Sequence, residues 1–179
     1  MKRLLLLAAI ISIFNFQFSI CSAQSRNTIP GTKVSWSFPG QWKYLSTTRI
    51  DDNTQTHLFC YKEHPVIANG DTALPYLTVY VRTNYAKPVS DLVFERFMTK
   101  PYETLDNYTT GPGLPPEGGM GFVGAYIHPQ NRKNYQFRMV YFKEGNTAVE
   151  FRLETTRATY DQMEQEFEQI LNSLQFNKK

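Results

Sequence analysis

Three residues of metal-binding types lie close together around position 60. His57, Cys60 and His64 fall within the segment HLFCYKEH. On a helix, their spacings of three and four residues would place all three on one face, as a zinc site requires. The Thr, Phe and Tyr content of the segment favours a strand instead, in which His57 and Cys60 point to opposite faces. We therefore predict a strand without a metal site.

The segment GPGLPPEGGMG (111–121) has the glycine content of a phosphate-binding loop but not its pattern. A dinucleotide-binding loop needs a third glycine where Pro116 stands, and a P-loop ends in Lys followed by Ser or Thr. The prolines also remove backbone N–H donors that would hold a phosphate. The next residues, FVGAYIH (122–128), alternate like a strand. We therefore predict no cofactor and a flexible connection between strands, with a mobile flap over a binding surface as the alternative.

Two carboxylates, Glu150 and Glu154, lie four residues apart in the segment TAVEFRLE (147–154). A pair of carboxylates can perform acid–base chemistry when a substrate lies between them. Arg138 and Arg152 are expected beside them, so neutralisation of these arginines is the simpler role.

Other signatures of catalysis and of ion binding are incomplete. The segment DDNT (51–54) resembles the start of a calcium loop, but the positions for the required Gly and Glu hold other residues, so we predict a hairpin turn. The sequence has no G-x-S-x-G motif, and its histidines have no nucleophile signature beside them. We predict no catalytic residue and no enzyme. The alternative is a hydrolase whose site joins distant residues such as His57, His128 and Glu150.

Hydrophobic periodicity indicates the strands and helices that position these residues. Alternation of apolar residues predicts strands at 32–38, 56–62, 76–82, 122–128, 135–142 and 147–154. The last three are expected to form an antiparallel meander. One helix is predicted from Ser90 to Lys100, before Pro101, and a second helix after a capping box of Thr159 and Gln162.

Each predicted helix carries an apolar stripe that we expect to pack on the sheet. The stripe of the first helix consists of Val93, Phe94, Phe97 and Met98. The stripe of the second helix consists of Tyr160, Met163, Phe167, Ile170, Leu171 and Leu174. No repeat or linker divides the chain. We therefore predict one α+β domain.

The hairpin between the last two strands determines which side chains share a face. A three-residue loop at 144–146, with Asn146 in the left-handed conformation, pairs apolar residues throughout, such as Tyr141 with Val149. The opposite face then carries charged residues, with Gly124 of the preceding strand beside Arg138. We predict a candidate binding surface on that face, formed by Tyr126, Arg138, Glu150 and Arg152.

The first residues have the organisation of a secretory signal peptide. Lys2 and Arg3 precede an apolar stretch, and small residues follow it, which predicts a signal peptide at 1–23 with cleavage between Ala23 and Gln24. The alternative is a lipoprotein anchored at Cys21. After cleavage we expect a flexible leader at 24–31, a single domain at 32–179, and no membrane span.

Charge and cysteine content limit the partners of the mature chain. Removal of Lys2 and Arg3 lowers the formal charge from +3 to +1, and no block of like charge remains, so a nucleic-acid partner is not supported. Cys60 is then the only cysteine, and we expect it to be a buried apolar residue. The motifs DTA and NYT make Thr72 and Asn107 candidate glycosylation sites on surface loops.

Segments at the two ends of the predicted domain resemble the PsbP-like family. Its pattern of an aromatic residue, Pro and Trp before a sheet matches Phe38, Pro39 and Trp42, and its closing helix and final aromatic residue are matched by Tyr160, Ile170, Leu171, Ser173 and Phe176. The resemblance implies a central antiparallel β-sheet with helices packed on it, an α/β/α sandwich. It carries over no catalytic residue, because members of the family mostly bind partners.

Together these features predict an exported, non-enzymatic PsbP-like protein. We expect it to act in the periplasm or outside the cell as an accessory binding module for an envelope protein or a small ligand. A periplasmic immunity or inhibitor protein is a close alternative, and the envelope hydrolase described above is the second.

Overall fold

The computed structural model describes residues 26–61, 65–101, 103–108, 113–114 and 118–176. The predicted signal peptide, including Cys21 and Ala23, lies outside the described residues, as do Gln24 and His64. In chain order the elements are β1 (Asn27–Thr28), β2 (Ser35–Trp36), β3 (Trp42–Arg49), β4 (Thr54–Tyr61), β5 (Val66–Ala68), β6 (Asp71–Ala73), β7 (Tyr76–Arg82), α1 (Val89–Met98), β8 (Thr104–Tyr108), β9 (Met120–Ile127), β10 (Asn134–Glu144), β11 (Thr147–Thr156) and α2 (Arg157–Asn172).

The centre of the fold is a seven-stranded antiparallel sheet in the spatial order β3-β4-β7-β11-β10-β9-β8. β1 pairs with β2, and β5 pairs with β6, as two separate small sheets. One helix packs on each face of the large sheet, which makes three layers. The predicted α+β class with a central antiparallel sheet and helices packed on it is confirmed.

The two faces of the sheet have different cores. The face under α2, which we call the α2 face, carries the larger core, formed by apolar residues of β4, β7, β10 and β11 together with α2 and β2. The other face, the α1 face, carries a smaller core rich in aromatic residues, formed by Tyr80, Tyr85, Leu92, Phe122, Phe137, Met139, Tyr141 and Ala148. Because strand residues alternate between the faces, each strand of the centre contributes to both cores.

Several predicted elements agree with the structure. β7 spans residues 76–82 as predicted, and the turn that closes β5 and β6 has positive φ angles at Asn69 and Gly70. Every residue of the predicted α2 stripe is buried. Residues 51–54 lie at the turn between β3 and β4, where the Ile50 N–H donates to the Thr54 carbonyl at 2.9 Å.

The start of the domain differs from the prediction. Residues 24–31 were expected to form a flexible leader, but Asn27–Thr28 pair with β2 and Ile29 is fully buried in the larger core. The sequence did not indicate this contact, because Ile29 is an isolated large apolar residue outside the alternating pattern of strand 32–38. The domain therefore includes residues before position 32.

The predicted register of the last hairpin is wrong by one residue. Glu144 pairs with Thr147, so Gly145 and Asn146 alone close the turn. Gly145 has a φ of +56° at the first central position, which suits a two-residue hairpin turn, and Asn146 does not adopt the predicted left-handed conformation. Pattern matching failed here because helices cover both faces, so apolar and charged residues are buried together on the α1 face.

The capping box predicted for α2 is also absent from the structure. The helix begins at Arg157 with Thr156 at its N-cap, three residues before the predicted N-cap. The hydroxyl of Thr159 lies instead inside the protein, within hydrogen-bond distance of the hydroxyls of Thr155 (2.7 Å) and Thr156 (3.1 Å).

Two further features concern the surface. Thr72 and Asn107, the candidate glycosylation sites, are exposed but lie on the short strands β6 and β8 rather than on loops. Within the described part of the chain, neither helix has the length and apolar character needed to cross a bilayer.

Cys60 is buried on β4, as predicted, with 4% of its surface exposed. We expect a thiol reagent to label the folded protein lacking residues 1–23 slowly, and to label it rapidly in denaturant, because only unfolding exposes this thiol. A matched control is Thr48→Cys in a Cys60→Ser background, since Thr48 is exposed on the neighbouring strand. Rapid stoichiometric labelling of Cys60 in the folded protein would contradict this expectation.

Candidate functional site

Charged side chains are buried between α1 and the sheet. The alternation of β11 places Glu150 and Arg152 on the α1 face, where they are 1% and 3% exposed. An isolated buried charge is strongly unfavourable, so each of these groups requires a partner of opposite charge and further hydrogen bonds.

Glu150 obtains its partners from α1 and from β10. The Nε of Arg96 donates to the Glu150 carboxylate at 2.6 Å, and a second guanidinium N–H donates to its other oxygen at 3.3 Å. The Tyr141 hydroxyl donates to the same carboxylate at 2.9 Å. Arg96 also lies over the ring of Tyr80, at 4.2 Å from the ring centre. Burial by itself would raise the pKa of Glu150, but the charge and hydrogen bonds of Arg96, together with the charges of Lys100 and Arg152, lower this pKa to about 2.

Arg152 is held between two carboxylates. It donates to Glu154 at 2.8 Å and to Glu103, in the segment after α1, at 3.0 Å. Its guanidinium lies 3.9 Å from the centre of the Phe137 ring. Burial opposes the charge of Arg152, but the carboxylates outweigh burial and raise its pKa. Lys100 completes the set at 3.8 Å from Glu103.

These groups form one balanced cluster, which we call the α1 network. Its ionised members are three cations and three carboxylates: Arg96, Lys100, Arg152, Glu103, Glu150 and Glu154. Its two most buried members are both paired: Glu150 accepts from Arg96 and Tyr141, and Arg152 donates to Glu103 and Glu154. The α1 network therefore fixes α1 and the following segment to the sheet.

The predicted binding surface does not lie on one face. Because the register of β10 differs by one residue, Arg138 lies on the α2 face, opposite Leu153, whereas Glu150 and Arg152 lie on the α1 face. Arg138 donates to the Tyr160 hydroxyl and to two glutamates of α2, each at 2.9 Å. The expectation that the four residues are neighbours was wrong for Arg138.

Tyr126 and Gly124 complete this correction. Tyr126 does share the α1 face with Arg152, whose guanidinium lies 5.6 Å from its ring centre. Gly124 lies opposite Phe137 rather than beside Arg138. A side chain at position 124 would collide with the Thr104 carbonyl and the Phe137 ring, so glycine is required for this close approach.

The histidines and acids of the predicted alternative active site are not brought together. His57 lies on the α2 face, where its Nδ1 is 2.7 Å from the Thr47 hydroxyl and burial lowers its pKa. Cys60 points to the α1 face, as predicted for a strand. His128 lies beyond the end of β9, where its Nδ1 accepts from the backbone N–H of Gln130 at 3.3 Å. In the part of the chain that the structure describes, no three His, Cys, Asp or Glu residues are arranged to hold a metal.

The glycine-rich segment joins β8 to β9, and these strands pair with each other. Only residues 113–114 and 118–121 of it are described. Gly113 has a φ of +77° and lies against the end of α2, and Leu114 packs on the larger core. Residues 111–112 and 115–117, on which the flap alternative depends, lie outside the described residues.

Three of the four residues in the apolar stripe predicted on α1 point away from the sheet, whereas Val93 packs against the smaller core. Phe94 is 65% exposed, Met98 61% and Phe97 38%, whereas Leu92 is completely buried. The inward side of α1 carries Leu92 and Arg96, because the sheet beneath offers the carboxylate of Glu150. Sequence reasoning oriented the helix by its largest apolar residues and so missed Arg96, Lys100 and Glu103. The spacing of Val89, Leu92, Val93 and Arg96 was the signal for the true inward side.

The fold resembles solved structures with very different sequences. No family model matches the sequence, and no curated protein matches it. A protein from Bacteroides thetaiotaomicron superposes with a TM-score of 0.52 at 13% identity, over 87% of this chain and 49% of that one. LpqN of Mycobacterium tuberculosis, described as involved in cell envelope biogenesis, superposes with a TM-score of 0.52 at 12% identity, over 87% of this chain and 91% of its own.

At these identities the likeness shows the fold alone. The chain spans about half the length of the Bacteroides protein, so the rest of that protein has no counterpart in the superposition. Membership of the PsbP-like family is not shown by these likenesses.

The α1 network predicts how Glu150 affects stability. We expect Glu150→Gln to lower the free energy of unfolding at pH 7 by about 3 kcal/mol, because it leaves Arg96 buried without its counter-charge. The control Glu168→Gln removes a carboxylate that is 43% exposed, and should lower it by less than about 1 kcal/mol.

The difference in the free energy of unfolding between Glu150→Gln and the wild type should depend on pH. The folded-state pKa of Glu150, about 2, lies below the unfolded value of about 4.3. The stability from its charge is therefore present above pH 4.3 and is lost as the pH falls towards 2. Urea unfolding at pH 7 and pH 3 measures both effects. An equal difference at both pH values would show that the charge of Glu150 does not stabilise the fold.

Proposed function

We propose that this protein is an exported, non-enzymatic accessory module with PsbP-like architecture, which binds a protein partner in the cell envelope through the outward surface of α1. The observation that carries the proposal is the exposure of Phe94, Phe97 and Met98 together on one helix. We call these three residues the α1 surface.

The spacing of the α1 surface makes it continuous. Phe94 and Met98 are separated by four residues and Phe94 and Phe97 by three, so their side chains are neighbours on the helix. Aromatic residues and Met are enriched in protein interfaces, and exposed apolar patches mark interaction sites.

The α1 network supports the same function by holding the surface in place. Arg96 lies on the inward side of α1 and is fixed to Glu150, so the helix is anchored before a partner arrives. A surface that is already ordered loses less conformational entropy on binding. The buried charges thus contribute to binding by positioning α1, without contacting the partner.

Export and the envelope location rest on other features. The N-terminal sequence has the organisation of a signal peptide. The resemblance of residues near both ends of the domain to the PsbP-like family favours a binding role, and LpqN, of similar fold, is described as involved in cell envelope biogenesis. The separation of His57, His128 and Glu150 gives no support to a hydrolase.

Photo-crosslinking in the native envelope tests the α1 surface. A photoreactive residue at Ser90, which is exposed at the start of α1, should crosslink one discrete partner. The double substitution Phe94→Ser/Met98→Ser should reduce the crosslinked product about tenfold or more, because it removes two large apolar contacts from the interface.

Ile67→Ser is the matched control, since Ile67 is 70% exposed on the small β5–β6 sheet and should not affect the product. An undiminished product in the double variant, with the fold intact by circular dichroism, would rule out the α1 surface as the binding site. Enzymatic turnover on a hydrolase substrate panel, abolished by one point substitution, would refute the non-enzymatic role.

A further inference from the structure

The outer edge of the sheet at β3 is open to pairing. β3 has only β4 as a neighbour, and among the described residues no strand pairs with its other side. Trp42, at the start of the strand, packs on the larger core and donates to Glu166 of α2, but residues 43–49 are all exposed, so neither helix covers this part of β3. An uncovered edge strand presents backbone N–H and C=O groups that can pair with another strand.

The hydrogen bonds of the β3–β4 hairpin show which groups point outward. The N–H of Ile50 donates to the Thr54 carbonyl, so Ile50 faces β4. Backbone groups in an antiparallel pair alternate in direction from one residue to the next. The N–H and C=O groups of Thr47 and Arg49 therefore point away from β4, towards the open side.

The side chains along this edge favour a particular partner. β3 contains two cations, Lys43 and Arg49, and no acid, and Tyr44 and Leu45 add exposed apolar surface. Arg49 contacts Asp52, but both side chains are largely exposed, so an incoming carboxylate can compete for the guanidinium. The edge is thus basic and partly apolar.

A second copy of the chain fits this edge less well. In an antiparallel self-pairing, the Lys43 end of one strand would lie beside the Arg49 end of the other, and like charges in that arrangement repel. The bulge between Tyr44 and Ser46 also restricts regular pairing to the second half of the strand.

We propose that the outer edge of β3 binds an extended acidic segment of a partner protein, which adds to the sheet as a further strand. Backbone bonds to Thr47 and Arg49 would supply affinity. Arg49, within the regular half of the strand, would select acidic side chains, and Lys43 would add positive charge on the opposite face beyond the bulge. This edge is separate from the α1 surface, and each can bind without the other.

Two synthetic peptides test this inference by NMR on the folded protein. In one, Glu and Val alternate, and in the other, Lys and Val alternate. The Glu/Val peptide should slow hydrogen exchange of the Thr47 and Arg49 amides, and should bind about tenfold or more tightly than the Lys/Val peptide. A Glu/Val peptide with alternate N-methylated amides should not bind, because it cannot form the ladder.

Charge reversal provides the matched variant. Lys43→Glu/Arg49→Glu changes only exposed side chains and should reverse the preference in favour of the Lys/Val peptide. Lack of protection at Thr47 and Arg49, an equal affinity for both peptides, or binding of the N-methylated peptide would overturn the proposal. Protection that rises with protein concentration in the absence of peptide would overturn it in favour of self-association.

Discussion

The pairing of Glu150 with Arg96 is the interaction on which the arrangement of the α1 face depends. Glu150 is buried at the centre of the sheet, and no position on a neighbouring strand supplies a cation for it; its guanidinium comes from α1. A buried carboxylate without such a partner would be strongly unfavourable. The helix must therefore turn its Arg96 side inward, and this orientation carries Phe94 and Met98 outward.

The same constraint explains the difference between the two layers of helix. α2 directs a row of large apolar residues into the core, so hydrophobic burial holds it on the sheet. α1 buries Leu92 completely and packs Val89 and Val93 partly against the smaller core. It adds ionic and aromatic contacts, in which Tyr80 and Tyr141 assist Arg96 and Glu150. The segment between α1 and β8 is also held by ionic contacts, because its Glu103 forms an ion pair with Arg152.

How much the sequence could predict depended on whether a segment had one covered face or two. The α2 stripe was predictable because its outward side is polar. The strands β10 and β11 are covered on both faces, so the alternation of apolar residues could not distinguish the two registers of their hairpin. The two-residue turn, in which Gly145 has a positive φ, determines the register. The α1 network joins residues more than fifty positions apart, such as Arg96 and Glu150, and no local pattern connects them.

The central claim is that the ion pair of Arg96 with Glu150 fixes the orientation of α1 on the sheet, with Phe94 and Met98 outward. Native-state hydrogen exchange of α1 amides in the wild type and in Arg96→Met tests this claim most directly. The account predicts that α1 amides exchange about a hundredfold faster in the variant, while amides of β7 and β11 keep their protection, because only the helix loses its anchor. Unchanged protection of α1 in Arg96→Met would contradict the account.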